Sequence, residues 1–142
     1  MAQHGYSRRV AFCDTDAMGV VHHSNYVRYM EEARVAWMRD NGLNEVHYPR
    51  ANVVLAVIHM QLHHEAPAFF DDLLNIRLQV RREGLKIHFQ YAIYREHGKT
   101  LVAWGETKHV PVNKELKPIR PEKLLMEHLE SEQWIETWPS NS

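Results

Sequence analysis

The chain has 142 residues, 44% hydrophobic and 25% charged, which fits one domain spanning residues 1–142. Its formal net charge of −1 leaves no general basic field for nucleic acid or an anionic membrane surface. The single cysteine, Cys13, rules out an intramolecular disulfide. With no signal-like apolar start and no membrane-length apolar run (the longest is Val53 to Ile58), a cytoplasmic location is expected.

Residues 6–12 alternate, with Tyr6, Val10 and Phe12 on one side, and predict a first strand. A loop follows, Asp14-Thr15-Asp16-Ala17-Met18-Gly19-Val20-Val21-His22-His23. Residues 25–41 then take helical spacing, which puts Tyr26, Tyr29, Met30, Ala33, Ala36 and Trp37 on one face. Ser24 or His23 marks the helix start, Ser24 being the better N-cap by type, and Asn41-Gly42 suits the C-terminal end.

From residue 53 the period becomes two. Val54, Ala56, Ile58, Met60 and Leu62 form an apolar face against His59, Gln61 and His63 until Pro67 breaks the run. Leu74 to Val80 and Ile87 to Ile93 alternate in the same way around a Glu83-Gly84 turn. After His97-Gly98-Lys99, a last strand runs from Thr100 to about Val112. Its Ala103 and Gly105 are small enough for a helix to approach closely. The tail from Pro121 to Ile135, with Leu125 and Leu129 four apart, predicts a short surface helix. One long helix and four or five antiparallel strands must bury their apolar faces together, giving an α+β fold. Periodicity does not choose between a sheet wrapped around the helix and a layered sandwich.

The segment from Asp14 to Tyr26 makes that choice. Its Asp-x-Asp, small residue, Gly19, Val20-Val21 and Asn25-Tyr26 resemble the signature of the 4-hydroxybenzoyl-CoA thioesterase-like hotdog family. The resemblance is nearest to the bacterial acyl-CoA thioesterases associated with the Tol-Pal envelope system. Glu65-Ala66-Pro67 before a strand and Lys117-Pro118-Ile119-Arg120-Pro121 after the last one agree with it. Phe12 departs from that branch, which often carries Tyr there. The resemblance implies a hotdog fold with the sheet around a central helix, and dimers whose sheets join, often paired into tetramers. It implies hydrolysis of acyl-CoA to a free acid and coenzyme A with no metal or other cofactor, and an acyl carrier protein as a further possible partner. It assigns catalysis to Asp16, as nucleophile or as the base that activates water, and carbonyl polarisation to the backbone N–H of His23.

The chemistry stands on its own terms. Attack on a thioester carbonyl builds an oxyanion, which preorganised N–H donors stabilise. The first turn of a helix supplies such donors and the positive end of its dipole. A carboxylate is already ionised at neutral pH and needs no partner base. Asp16 precedes the helix by a few residues, and Gly19 lets the chain double back between them. Asp14 suits a structural role, bonding loop N–H groups.

Gly19, Val20, Asn25 and Tyr26 are substrate-binding candidates from the loop. Met30 and Ile58 are candidates for the acyl pocket, with Val20. Arg81, Arg82 and Lys86, and beyond them Lys117 and Arg120, are candidates for the coenzyme A phosphates. His59 and His63 share a strand face roughly 13 Å apart, too far to hold one ion. Solvent or interface positions account for the eleven histidines. A hotdog dehydratase would pair a His with an acidic helix residue, but Glu31 and Glu32 fall off the apolar face. A non-catalytic acyl-binding module is the alternative function.

Overall fold

The computed structural model describes residues 4–43, 54–121 and 123–139. Its strands are β1 (His4–Arg9), β2 (Val54–His64), β3 (Leu73–Glu83), β4 (Lys86–Arg95) and β5 (Thr100–Val112). Helix α1 (Ser24–Asp40) follows β1, and α2 (Lys123–Ser131) follows β5. All strand pairs are antiparallel, in the order β1-β3-β4-β5-β2, so β1 and β2 are the edges.

The alternation read from the sequence is the core. Leu74, Ile76, Leu78 and Val80 on β3, and Ile87, Phe89, Tyr91 and Ile93 on β4, are almost wholly buried against α1. The expected helix face is buried in full: Tyr26, Tyr29, Met30, Ala33, Ala36 and Trp37. Burying each large side chain contributes roughly 1.5–3 kcal/mol. Trp37 meets Phe89 edge to face at 5.6 Å, and its indole N–H donates to Glu132 Oε1 at 2.8 Å. This is the expected hotdog arrangement, an antiparallel sheet packed around one long helix.

Four local expectations are corrected. First, β1 ends at Arg9, and Phe12 opens a short 3-10 turn (Phe12–Asp14) with its ring exposed. Second, β2 does not keep one apolar face inward. A bulge between Val57 and His59 shifts its phase by one residue, as an extra residue in a period-two strand must. Leu55 is buried before the bulge and Leu62 packs on the core after it, while Val57, Ile58 and Met60 stay exposed. Val53, the expected start of this strand, lies outside the described residues.

Third, the need for Gly105 comes from the sheet, not from a helix. A Cβ there would overlap the Gln61 carbonyl oxygen of β2. Fourth, α2 ends at Ser131, and its Leu125 and Leu129 join the core rather than lying on the surface. The chain then straps across the sheet. The buried Gln79 amide accepts from the Ile135 N–H at 2.8 Å and donates to the Ile135 carbonyl at 2.9 Å. Arg81 lies over the Trp134 ring at 4.2 Å, and the Trp138 indole N–H donates to the Tyr91 carbonyl at 3.0 Å.

Candidate active site

The loop between β1 and α1 is a small hairpin in its own right. Thr15 and Val21 form an antiparallel bridge, and the Asp16 N–H donates to the Val20 carbonyl at 2.9 Å. Gly19, at φ +78°, closes the turn by donating to the Asp16 carbonyl at 3.0 Å. Only glycine takes that left-handed conformation without a Cβ penalty. The loop is pinned from outside as well, because Val20 bridges to Phe69 and the Val21 N–H donates to the Ala68 carbonyl at 2.9 Å.

The two aspartates have separate environments. Asp14 is buried; its Oδ2 accepts the Ala11 N–H at 2.9 Å and the Tyr29 hydroxyl at 2.8 Å, with Arg8 at 3.5 Å. Burial alone would raise the Asp14 carboxyl, but those N–H and O–H donors, with the charges of Arg8 and Arg28, hold it below its ordinary value. The Asp14 backbone carbonyl accepts the His22 N–H and the Asn25 side-chain amide, at 2.9 and 2.8 Å. Asp14 and Asn25 therefore tie the loop to α1.

Asp16 is partly exposed, and its Oδ1 accepts the Met18 N–H at 2.8 Å. Its Oδ2 has no hydrogen-bond or ion-pair partner among the described residues.

At the start of α1 the cap is His23 rather than Ser24, and it makes no side-chain cap bond. His22 takes part of that work: its Nδ1 lies 2.8 Å from Ser24 Oγ and 3.3 Å from the Ser24 N–H. The Asn25 and Tyr26 N–H groups donate to the His22 and His23 carbonyls, at 2.9 and 3.4 Å. No backbone acceptor among the described residues takes the His23 N–H.

Beside this helix end lies a cleft of about 380 Å³, lined by Val20, Val21, His23, Tyr26 and the 64–67 stretch. The structure thus gathers Val20, His23 and Tyr26 around one space. Gly19 and Asn25 are not part of its lining, and Asp16 stands on the neighbouring hairpin, also outside the lining. Met30 is sealed in the core, and Ile58 sits at the β2 bulge with its side chain in solvent. Neither reaches the cleft. His64 and Glu65 do, although in the sequence Glu65 stands out only as part of the Glu65-Ala66-Pro67 that precedes a strand. The His64 ring meets Tyr26 edge-on at 5.2 Å, and Glu65 Oε1 accepts the Trp104 indole N–H at 3.3 Å. The available signal was position, directly after β2 and before Pro67.

Of the basic candidates, Arg81, Arg82 and Lys86 share the β3–β4 hairpin. Arg81 faces Glu83 and Glu136, both at 3.8 Å, and Arg82 donates to the Gly84 carbonyl at 2.6 Å. Lys86 is exposed on the same hairpin, paired across it with Glu83, and Lys117 and Arg120 are exposed after β5.

Two histidines correct the expectation of solvent or interface positions. His88 is buried between Glu83 Oε2 at 2.7 Å and Glu106 Oε1 at 3.1 Å. His109 is fully buried, its Nε2 2.8 Å from Thr107 Oγ1, which lies 2.7 Å from the Tyr91 hydroxyl. Both occupy strand positions that the sheet and its coverings enclose. His59 and His63 have separate partners, Glu106 at 2.9 Å and the Trp104 ring stacked at 4.0 Å.

Comparison with known proteins decides the family. Residues 10–129 match the thioesterase-like superfamily. The chain belongs to that superfamily. A putative esterase of Aquifex aeolicus is 34% identical over 75% of this chain and 83% of its own length. The acyl-CoA thioester hydrolase YbgC of Escherichia coli O157:H7 is 36% identical over 51% of this chain and 54% of its own. Among solved structures, a hypothetical protein from Aquifex aeolicus superposes with a TM-score of 0.81 at 32% identity, covering 89% of this chain and 98% of that one. The resemblance read from the 14–26 loop agrees with this membership, as does the enzyme class, a thioester hydrolase.

Proposed function

We propose that this thioesterase-superfamily chain hydrolyses acyl-CoA to a carboxylic acid and coenzyme A at the start of α1. The observation that carries this reading is the His23 N–H, without a backbone acceptor among the described residues, at a helix N-terminus that opens on a cleft. Such a donor, reinforced by the helix dipole, suits a thioester oxygen that gains charge on attack. Asp16, on the hairpin leading into the helix, brings a carboxylate with one oxygen uncommitted among the described residues, as attacking group or as base for water. The names of the relatives point the same way, since YbgC is named an acyl-CoA thioester hydrolase.

Two copies complete the site in this reading. Strand β2, paired with β5 on one side, is an edge strand with Val57, Ile58 and Met60 exposed and no strand on its other side among the described residues. Pairing β2 with β2 of a second copy covers them and joins the sheets, and the acyl chain then lies across that seam. Dimers of dimers, a cytoplasmic location and acyl carrier protein thioesters as further substrates belong to the same proposal. Among the described residues, no helix is long and apolar enough to cross a membrane.

One observation favours a variant of the mechanism: Glu65, not Asp16, is the carboxylate lining the cleft. Thiol release from a panel of short, long and aromatic acyl-CoAs separates the two. Asp16→Asn is expected to lower turnover by roughly a hundredfold or more while folding normally, with Glu65→Gln close to wild type. The reverse pattern transfers the role to Glu65. Tight binding of acyl-CoA with no thiol release by the wild type makes the chain a binding module.

A further inference from the structure

We propose that the outer face of the sheet holds an anion site, apart from the cleft, that takes a phosphate group. A pocket of about 280 Å³ lies there beside the β4–β5 turn, with Ser7, Leu73, Asn75, Arg77, His97 and Gly98 in its lining. Leu74, Ile76 and Leu78 point into the core, so strand alternation turns Asn75 and Arg77 to the opposite face. Ser7 stands directly across from Asn75 in the β1–β3 pairing. The lining contains no carboxylate, whereas Ser7, Asn75, Arg77 and His97 all carry side-chain groups that can donate N–H or O–H.

Arg77 is held in place without being neutralised. Its Nε–H donates to Asn75 Oδ1 at 3.2 Å, and its guanidinium lies 4.8 Å from the centre of the buried Tyr94 ring. It has no carboxylate partner among the described residues, and its two Nη groups make no hydrogen bond there. A guanidinium held by its Nε–H, with both Nη groups unbonded among the described residues, is preorganised for two parallel bonds to phosphate oxygens. Glu96, His97 and Gly98 all have positive φ, at 56°, 57° and 88°. This backbone brings the turn against Arg77, and a Cβ at Gly98 would lie 3.1 Å from Nη2. Glycine there leaves the guanidinium uncovered. The volume exceeds that of a bare phosphate, and Leu73 offers an apolar wall to whatever carries it.

The phosphate can be free or the end of a larger ligand, and the test separates these. Inorganic phosphate is titrated into ¹⁵N-labelled full-length protein while the Gly98 amide and Arg77 Nε–H signals are followed. Coenzyme A and its phosphate-free analogue pantetheine are then titrated in the same way. Saturable movement of these signals by inorganic phosphate supports the site. Stronger movement by coenzyme A, with none by pantetheine, supports it and assigns a nucleotide-borne phosphate. Arg77→Gln is expected to weaken phosphate binding at least about tenfold, and Gly98→Val, which crowds Nη2 but keeps the charge, to weaken it too. Unmoved Gly98 and Arg77 signals with both phosphate-bearing ligands at tens of millimolar overturn the proposal. So does undiminished phosphate affinity in a folded Arg77→Gln variant. No turnover is read, so failure here leaves the thioesterase reading intact, and failure of that reading leaves this site intact.

Discussion

Asp14 and Asp16 differ by two positions and by everything around them. Asp14 is enclosed and bonded to Ala11 and Tyr29, while Asp16 keeps one carboxylate oxygen unpartnered among the described residues. A carboxylate already committed to structural donors is a poor nucleophile, so in the proposed mechanism the attacking role falls to Asp16 and not to Asp14. His109 shows the opposite use of burial. Desolvation, and then the nearby charge of Arg34, push its imidazole from 6.5 down to about 4. His109 is therefore neutral in the folded protein at a pH where the unfolded chain binds a proton. Its contribution to stability is complete above pH 6.5 and is lost as the pH falls through 4, a change on the order of 3 kcal/mol. Urea denaturation at a series of pH values checks this: the wild type should weaken steadily across that window, and His109→Leu should show a flatter profile there.

At the scale of elements, legibility followed periodicity. Helix α1 and strands β3 and β4 were readable because the apolar residues that keep their period there meet the same core. Strand β2 was not, because a bulge at Ile58 changes which residues face inward while leaving the composition unchanged. The strap after α2 was also hidden, since its anchor is the Gln79 side chain, and an amide pairing with backbone has no periodic signature. The site was legible in its loop, where glycine, turn and helix cap are local. His64 and Glu65 were missed because they join it only once β2 is folded beside α1. Gly105 gives a test of this packing. A side chain there must displace the β2 backbone at Gln61, so Gly105→Val should destabilise by about 3 kcal/mol or more in chemical denaturation, beyond the ordinary loss from overpacking.

At the scale of the whole molecule, the exposed residues of β2 and the cleft beside α1 belong to one account in which a second copy covers the first. Light scattering on the purified protein should give a dimer or a dimer of dimers. A double substitution, Val57→Glu with Met60→Glu, should yield folded monomers with much reduced thiol release. A wild-type monomer with full activity removes the second copy from the site. The mechanism is tested most directly by a crystal structure of Asp16→Asn with an intact acyl-CoA bound. The thioester oxygen is expected within hydrogen-bond distance of the His23 N–H, with the residue 16 side chain facing the carbonyl carbon. A thioester seated away from the helix start, or held against Glu65 with residue 16 turned from it, would contradict the account.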